Sequence, residues 1–193
     1  MNRRLFIIAL LLAGSWYAMM LVHEFGHVIG AWITGSHIDS VRVPWVGFSQ
    51  TLVPVTPWPR VVTASGPVVG AMLPLLTWLI ARHIPCLSRR GWSVIARFLA
   101  AFCMLSNGVY IGSAMLNPVG DSEELVRMGV PAWLLTSIGL PAAALGLALW
   151  NGMAMNFDHA ADAEARHARV TLRQLLAWLV CVLVVVGIVN LVP

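Results

Sequence analysis

Charged side chains are scarce in this sequence of 193 residues. They account for 10% of the residues, against about 25% in an ordinary soluble domain, and all twelve basic residues are Arg, since there is no Lys. Hydrophobic residues make up 59%. This balance excludes a soluble globular domain, a disordered chain and a nucleic-acid binder with a basic face, so no nucleic-acid partner is expected. It predicts an integral membrane protein surrounded by the lipid bilayer.

Cysteine is nearly absent as well. Cys86, Cys103 and Cys181 lie far apart, and no two of them have the CxxC spacing of a thiolate zinc site. The sequence therefore indicates neither a disulfide framework nor a zinc site built from thiolates. A signal-peptide cleavage pattern is also missing after the first apolar run, so we interpret that run as a retained membrane helix.

Long apolar runs are what the sequence has in place of charge. Five of them approach the ~20 residues that a membrane-spanning helix needs. They cover about Leu5–Ile33, Ala64–Ile80, Trp92–Leu116, Pro131–Trp150 and Leu172–Val192. We therefore predict an all-α, multi-pass membrane protein with about five transmembrane helices, formed as a single domain over residues 1–193.

The segment between the first two runs, Gly35–Arg60, does not fit a helix. It alternates apolar and charged side chains at Val41-Arg42-Val43, and prolines crowd it. These prolines are Pro44, Pro54, Pro57, Pro59 and, slightly later, Pro67. We predict a short β-hairpin or a re-entrant loop packed on the bundle, because irregular backbone at membrane depth must be covered by protein or line a water-filled cavity. A polar segment further on, Asn151–Arg173, predicts a short surface helix.

The distribution of Arg bears on orientation. With five spans, nine Arg residues fall on the side of the N-terminus and three on the other side. The nine are Arg3, Arg4, Arg82, Arg89, Arg90, Arg97, Arg166, Arg169 and Arg173, and the three are Arg42, Arg60 and Arg127. Because cytoplasmic loops carry the excess of basic residues, this distribution favours a cytoplasmic N-terminus.

One motif within the first apolar run has the residues of a catalytic metal site. His23-Glu24-Phe25-Gly26-His27 is an HExxH sequence. On a helix, residues four apart share a face, so both imidazoles can reach one zinc ion. Glu24 is placed to take a proton from a zinc-bound water and pass it to a leaving amine. A polar contact between helices would also explain two histidines in a span, but it would leave their spacing unexplained.

A catalytic zinc site needs a third protein ligand. Residues with suitable side chains are few and lie in the polar segments. They are His37, Asp39, His83, His159, His167, Asp121, Glu123 and Glu124.

The motifs together resemble those of the site-2 protease family of intramembrane zinc metalloproteases. HExxH in a first membrane helix is followed by Asn117-Pro118 and then Asp121, and Ala64-Ser65-Gly66-Pro67 is similar to a small-residue-Gly-Pro element of that family. The resemblance covers about residues 15–125. It implies a three-helix catalytic core within about 5–125, with accessory helices over about 131–193. A PDZ domain would not fit beside these helices, so the protein would be a minimal member of the family.

The same resemblance implies the roles of individual residues. His23, His27 and Asp121 would hold one zinc ion per chain, Glu24 would be the general base, and Asn117 would hold the substrate strand or the oxyanion. The second motif departs from the family pattern, because it is compressed and Asp121 precedes Ser122 where the family has Gly. Glu123 and Glu124 therefore stay open as alternatives for the third ligand.

The resemblance also implies a substrate and a location. The substrate would be a transmembrane or membrane-proximal segment of another protein, and the location a bacterial cytoplasmic membrane. Family members generally hold zinc nearer the cytoplasmic face. A cytoplasmic N-terminus would instead place HExxH and Asp121 toward the exterior, so the sidedness of the site stays open.

Two further patterns fit a tightly packed core. Small residues form GxxxG pairs that let helices approach closely in the first three spans. The pairs are Gly26 and Gly30, Gly66 and Gly70, and Gly108 and Gly112. The segment around Val41–Val55 would offer an edge strand for an unwound substrate, or else be a simple connecting loop.

Two other functions compete with intramembrane proteolysis. A metal-binding scaffold would have no need of Glu24. A membrane metalloprotease that acts outside the bilayer would need a Glu ligand on a helix of a sizeable extramembrane domain, for which the sequence offers no room.

Overall fold

The computed structural model describes residues 3–89, 91–151, 153 and 170–191. Within them the chain forms a helical bundle with one small sheet, and five helices are long and apolar enough to cross a membrane. This confirms the all-α, multi-pass membrane fold. The elements are α1 (Arg3–Ile33), β1 (Ser40–Arg42), β2 (Gln50–Leu52), α2 (Pro59–Ala81), α3 (Pro85–Arg89), α4 (Trp92–Gly112), α5 (Asp121–Arg127), α6 (Ala132–Trp150) and α7 (Leu172–Leu191).

The second span begins earlier than predicted, at Pro59 rather than Ala64. The prediction that Pro59 and Pro67 disfavour a helix was wrong. Pro59 is the first residue of α2. A backbone N–H at that position has no acceptor within the helix, so proline loses no hydrogen bond there. Pro67 and Pro74 lie inside α2, and membrane helices tolerate such prolines because neighbouring groups satisfy the freed carbonyls. The surface helix predicted over Asn151–Arg173 falls almost wholly outside the described residues.

The segment after α1 is a β-hairpin, as the sequence predicted. β1 and β2 pair antiparallel, with Val41 opposite Thr51. Just after β1, the Asn190 side chain of α7 accepts from Val43 N (2.9 Å) and donates to Val43 O (2.6 Å). This amide therefore holds the end of β1 against α7. The outer edge of β2 has no strand partner among the described residues.

The hairpin also re-enters the bundle alongside α1. At its tip, the Tyr17 hydroxyl donates to the Trp45 carbonyl (2.8 Å), and the Phe48 ring lies 6.0 Å from that of Trp16. Tyr17 precedes the end of α1 at Ile33 by roughly 24 Å of helix, at about 1.5 Å per residue. The tip therefore reaches the middle of the first span, and the two predicted alternatives, hairpin and re-entrant loop, describe the same structure.

The helices α1, α2 and α4 pack against one another, while α6 packs mainly on α4 and α7 packs mainly on α1. α7 runs parallel to α1, because Leu175 shares a cluster with Ile7 and Leu11 while Val186 shares one with Met20. A side chain at position 26 on α1 would overlap the backbone of α2 at Ser65 and Gly66.

The three GxxxG pairs do not all act as predicted. Gly26 and Gly30 seat α1 on α2, and Gly66 lies against the His27 ring. Gly108 and Gly112, however, lie against Gly139 and its neighbours on α6. The third pair therefore attaches an accessory helix rather than closing the three-helix core.

Candidate metal centre

The HExxH motif lies about two-thirds of the way along α1, on an unbroken stretch of helix. The spacing of four residues puts His23 and His27 on one face, with ring centroids 5.0 Å apart. Glu24 is 3% exposed and His27 is 8% exposed. Three ionisable groups are therefore held within an apolar helix, where such groups need partners.

Asp121 reaches the two histidines from the first residue of α5. Gly120 has a φ of 52°, in the left-handed region that glycine adopts freely, so the chain can turn sharply before α5. The Asp121 backbone N–H donates to the Tyr110 hydroxyl oxygen (2.8 Å). A side chain at position 120 would overlap that hydroxyl. The glycine and Tyr110 together fix the position of the Asp121 carboxylate.

Three side-chain atoms meet at the centre of this site. His23 Nε2 lies 2.9 Å from Asp121 Oδ2, His27 Nε2 lies 3.4 Å from the same oxygen, and the two Nε2 atoms are 3.3 Å apart. Tetrahedral zinc, whose bonds to nitrogen and oxygen ligands are near 2 Å, separates its ligand atoms by about 3.3 Å. The residues present therefore fit a metal ion, with one coordination position left open for water or substrate.

The outer nitrogen of each imidazole also has a partner. His27 Nδ1 lies 2.9 Å from the Val62 carbonyl, and His23 Nδ1 lies 2.8 Å from Asn107 Oδ1. A carbonyl oxygen can only accept, so His27 carries its proton on Nδ1 and directs Nε2 toward the centre. Second partners of this kind are typical of histidines that ligate metals.

The carboxylate of Asp121 is held in its ionised form. Burial raises its pKa, but the neighbouring imidazoles of His23 and His27 lower it by more, and the pKa falls from 3.8 to about 2. The side chain is 15% exposed. Asp121 therefore offers an anionic oxygen to a cation at neutral pH.

Glu24 stands beside the cluster rather than in it. The Thr51 hydroxyl of β2 donates to Glu24 Oε2 at 2.6 Å. The set of atoms that could hold a metal contains His23, His27 and Asp121 but not Glu24. This arrangement leaves the carboxylate free for proton transfer and ties it to the hairpin.

Other predicted ligands lie elsewhere. Glu123 is exposed and pairs with Arg127 (2.7 Å), and Glu124 is exposed on α5. His37 and Asp39 lie 3.7 Å apart on the surface, and His83 accepts from Arg82. None of these five joins the described cluster of possible ligands. His159 and His167 fall outside the described residues.

Asn117, predicted to hold the substrate or the oxyanion, is exposed just before α5. No described hydrogen bond joins its side chain to the cluster. The contacts instead come from three residues that the sequence interpretation missed: Thr51, Asn107 and Tyr110. Asn107 alone gave a signal, as a polar side chain within an apolar span.

Comparison of the chain with family models, with curated proteins and with solved structures gives no match.

The tight contact between α2 and His27 yields a prediction. A methyl group at position 66 would overlap the His27 ring, including Nε2. Gly66→Ala should therefore turn the imidazole away from the centre and weaken zinc binding by about tenfold or more, measured by competition with a chromophoric chelator. Gly187→Ala is the matched control, since nothing lies within 4 Å of its added methyl. Equal affinity in the two variants would contradict the contact.

Proposed function

We propose that this membrane protein is an intramembrane zinc endopeptidase that hydrolyses a peptide bond in or near a transmembrane segment of another protein. The observation that carries the proposal is the triangle formed by His23 Nε2, His27 Nε2 and Asp121 Oδ2, with a buried Glu beside it. Such a triangle is suited to a metal with an open position, and a neighbouring carboxylate suits a hydrolytic site better than a purely structural one.

The residues would divide the chemistry among them. His23, His27 and Asp121 would hold zinc, which when bound supplies a Lewis acid and lowers the pKa of its water to about 7. Glu24 takes the proton from the attacking water and gives it to the leaving amine. Thr51 donates to one Glu24 oxygen, which leaves the other oxygen available for that transfer.

The hairpin supports a mode of substrate binding. A scissile bond must be extended before attack, because helical carbonyls are already engaged in hydrogen bonds. Within the described part of the chain, no strand pairs with the outer edge of β2, and Thr51 on the same strand contacts Glu24. We propose that an unwound substrate segment pairs with β2 and is thereby brought to the base. A bacterial cytoplasmic membrane, suggested by the resemblance to site-2 proteases, is part of this proposal.

Metal content and cleavage test the proposal together. Protein purified in detergent, without a metal-affinity step, should contain about one zinc per chain by elemental mass spectrometry. It should cleave unfolded casein or a panel of single-span segments flanked by reporters, and 1,10-phenanthroline should abolish that cleavage until zinc is restored. Stoichiometric zinc with no cleavage of any probe would favour the metal-binding scaffold, and absence of zinc would overturn both functions.

A further inference from the structure

Asn107 of α4 contacts His23 but has no part in the chemistry proposed above. Its side chain is 4% exposed and lies in an otherwise apolar helix. Oδ1 is 2.8 Å from His23 Nδ1, and Nδ2 donates to the Cys103 carbonyl at 3.0 Å. Both ends of a buried amide are thus occupied, and one of them holds a metal-ligand candidate 84 positions away in the sequence.

The second contact fixes which way the amide points. The Cys103 oxygen is a backbone carbonyl and can only accept, so the NH₂ group must face it. The opposite orientation would set two acceptor oxygens 3.0 Å apart. Oδ1 therefore faces His23, and the hydrogen bond requires a proton on Nδ1. The pair of contacts leaves Nε2 as the nitrogen available to a metal.

Space for the amide comes from α2. An added methyl at Gly70 would stand 2.9 Å from Asn107 Oδ1 and 3.0 Å from Nδ2, closer than side-chain carbons normally approach. The glycine thus lets α2 pack directly over the amide. Three elements, α1, α2 and α4, consequently determine the orientation of one imidazole ring.

We propose that Asn107 is the positioning residue of the metal site, which selects the His23 tautomer whose Nε2 binds zinc. This inference rests on the proposed function, since it concerns the ligand set of that site. Asn107 itself is not among the residues that could ligate the metal. It acts through His23, as His27 is held by the Val62 carbonyl.

Metal affinity, measured without any substrate, tests the role. Asn107→Leu has a similar volume but no acceptor, and zinc affinity from chelator competition should fall about 10- to 100-fold. The absorption bands of bound Co²⁺ should weaken as the ligand geometry loosens. Asn107→Asp restores an acceptor for Nδ1–H and should bind zinc within about threefold of the unsubstituted protein. Met104→Leu, a buried change on the same helix, is the control.

Gly70→Ala provides a second test if Asn107→Leu does not fold. It leaves Asn107 in place but displaces its amide, so zinc binding should again weaken. The inference is overturned if Asn107→Leu or a folded Gly70→Ala binds zinc as tightly as the unsubstituted protein, or if Leu and Asp at position 107 weaken it equally. Those results would overturn only the role of Asn107 and would not contradict the proposed zinc site. Failure of the unsubstituted protein to bind zinc would instead overturn the proposed function and this role with it.

Discussion

Replacing Glu24 with glutamine is expected to slow cleavage by at least about 100-fold while the metal stays bound. Glu24 is 3% exposed and lies between the two histidines in the sequence, yet it is outside the group of residues that could ligate the ion. Its removal should therefore cost proton transfer and nothing else. General bases contribute about 10²- to 10⁴-fold to rate, and a loss in this range is the expected effect on kcat.

Glutamine is the suitable substitution because it preserves the contact with the hairpin. The Thr51 hydroxyl donates to Glu24 Oε2, and the amide oxygen of glutamine can accept the same bond. The position of β2 should therefore not change. Cleavage of casein or of a reporter-flanked segment gives the rate, and elemental mass spectrometry gives the zinc content of the same sample. Full activity with normal zinc content would rule out Glu24 as the base.

A second substitution distinguishes the role of Glu24 from that of the Thr51 hydroxyl that donates to it. Thr51→Val removes the hydroxyl but keeps the branched shape of the side chain, so the strand should persist. Activity should fall by less than in Glu24→Gln, because the carboxylate is still present.

The parts of this structure that follow from local sequence were predictable. An apolar run of about 20 residues is long enough to span a bilayer whatever surrounds it, which is why all five spans were found. A spacing of four residues puts His23 and His27 on one helical face without any tertiary information. The hairpin was predicted from the alternation of apolar and charged side chains and from the prolines around it. The sequence did not predict that its tip would lie beside Tyr17, in the middle of α1.

The contacts of the site depend on how the helices are placed, which the spacing of residues does not encode. Asn107 reaches His23 only because α1 and α4 run side by side at one relative rotation. Asn117 was predicted because the resemblance to site-2 proteases implied it, and Asn107 was not considered, although Asn107 is the residue whose side chain contacts His23. The small-residue pairs indicated close packing but not the partner, so the pairing of Gly108 with α6 was missed.

Replacing Asp121 with alanine is expected to remove most of the bound zinc. The carboxylate supplies the only anionic member of the described ligand group, and it lies within 3.4 Å of both Nε2 atoms. Loss of a partner that merely orients a ligand costs about 10- to 100-fold in metal affinity, so loss of a ligand should cost about 100-fold or more. Cleavage should disappear with the metal, unlike in Glu24→Gln, where the metal remains.

Glu124→Ala is the matched control for this experiment. It removes one acidic side chain from the same short helix, but that side chain is exposed and lies outside the ligand group. Zinc content and zinc affinity should therefore equal those of the unsubstituted protein. The opposite pattern, with zinc kept in Asp121→Ala and lost in Glu124→Ala, would move the third ligand to Glu124. It would also require α5 to turn, because the Tyr110 hydroxyl now holds the Asp121 N–H at the start of that helix.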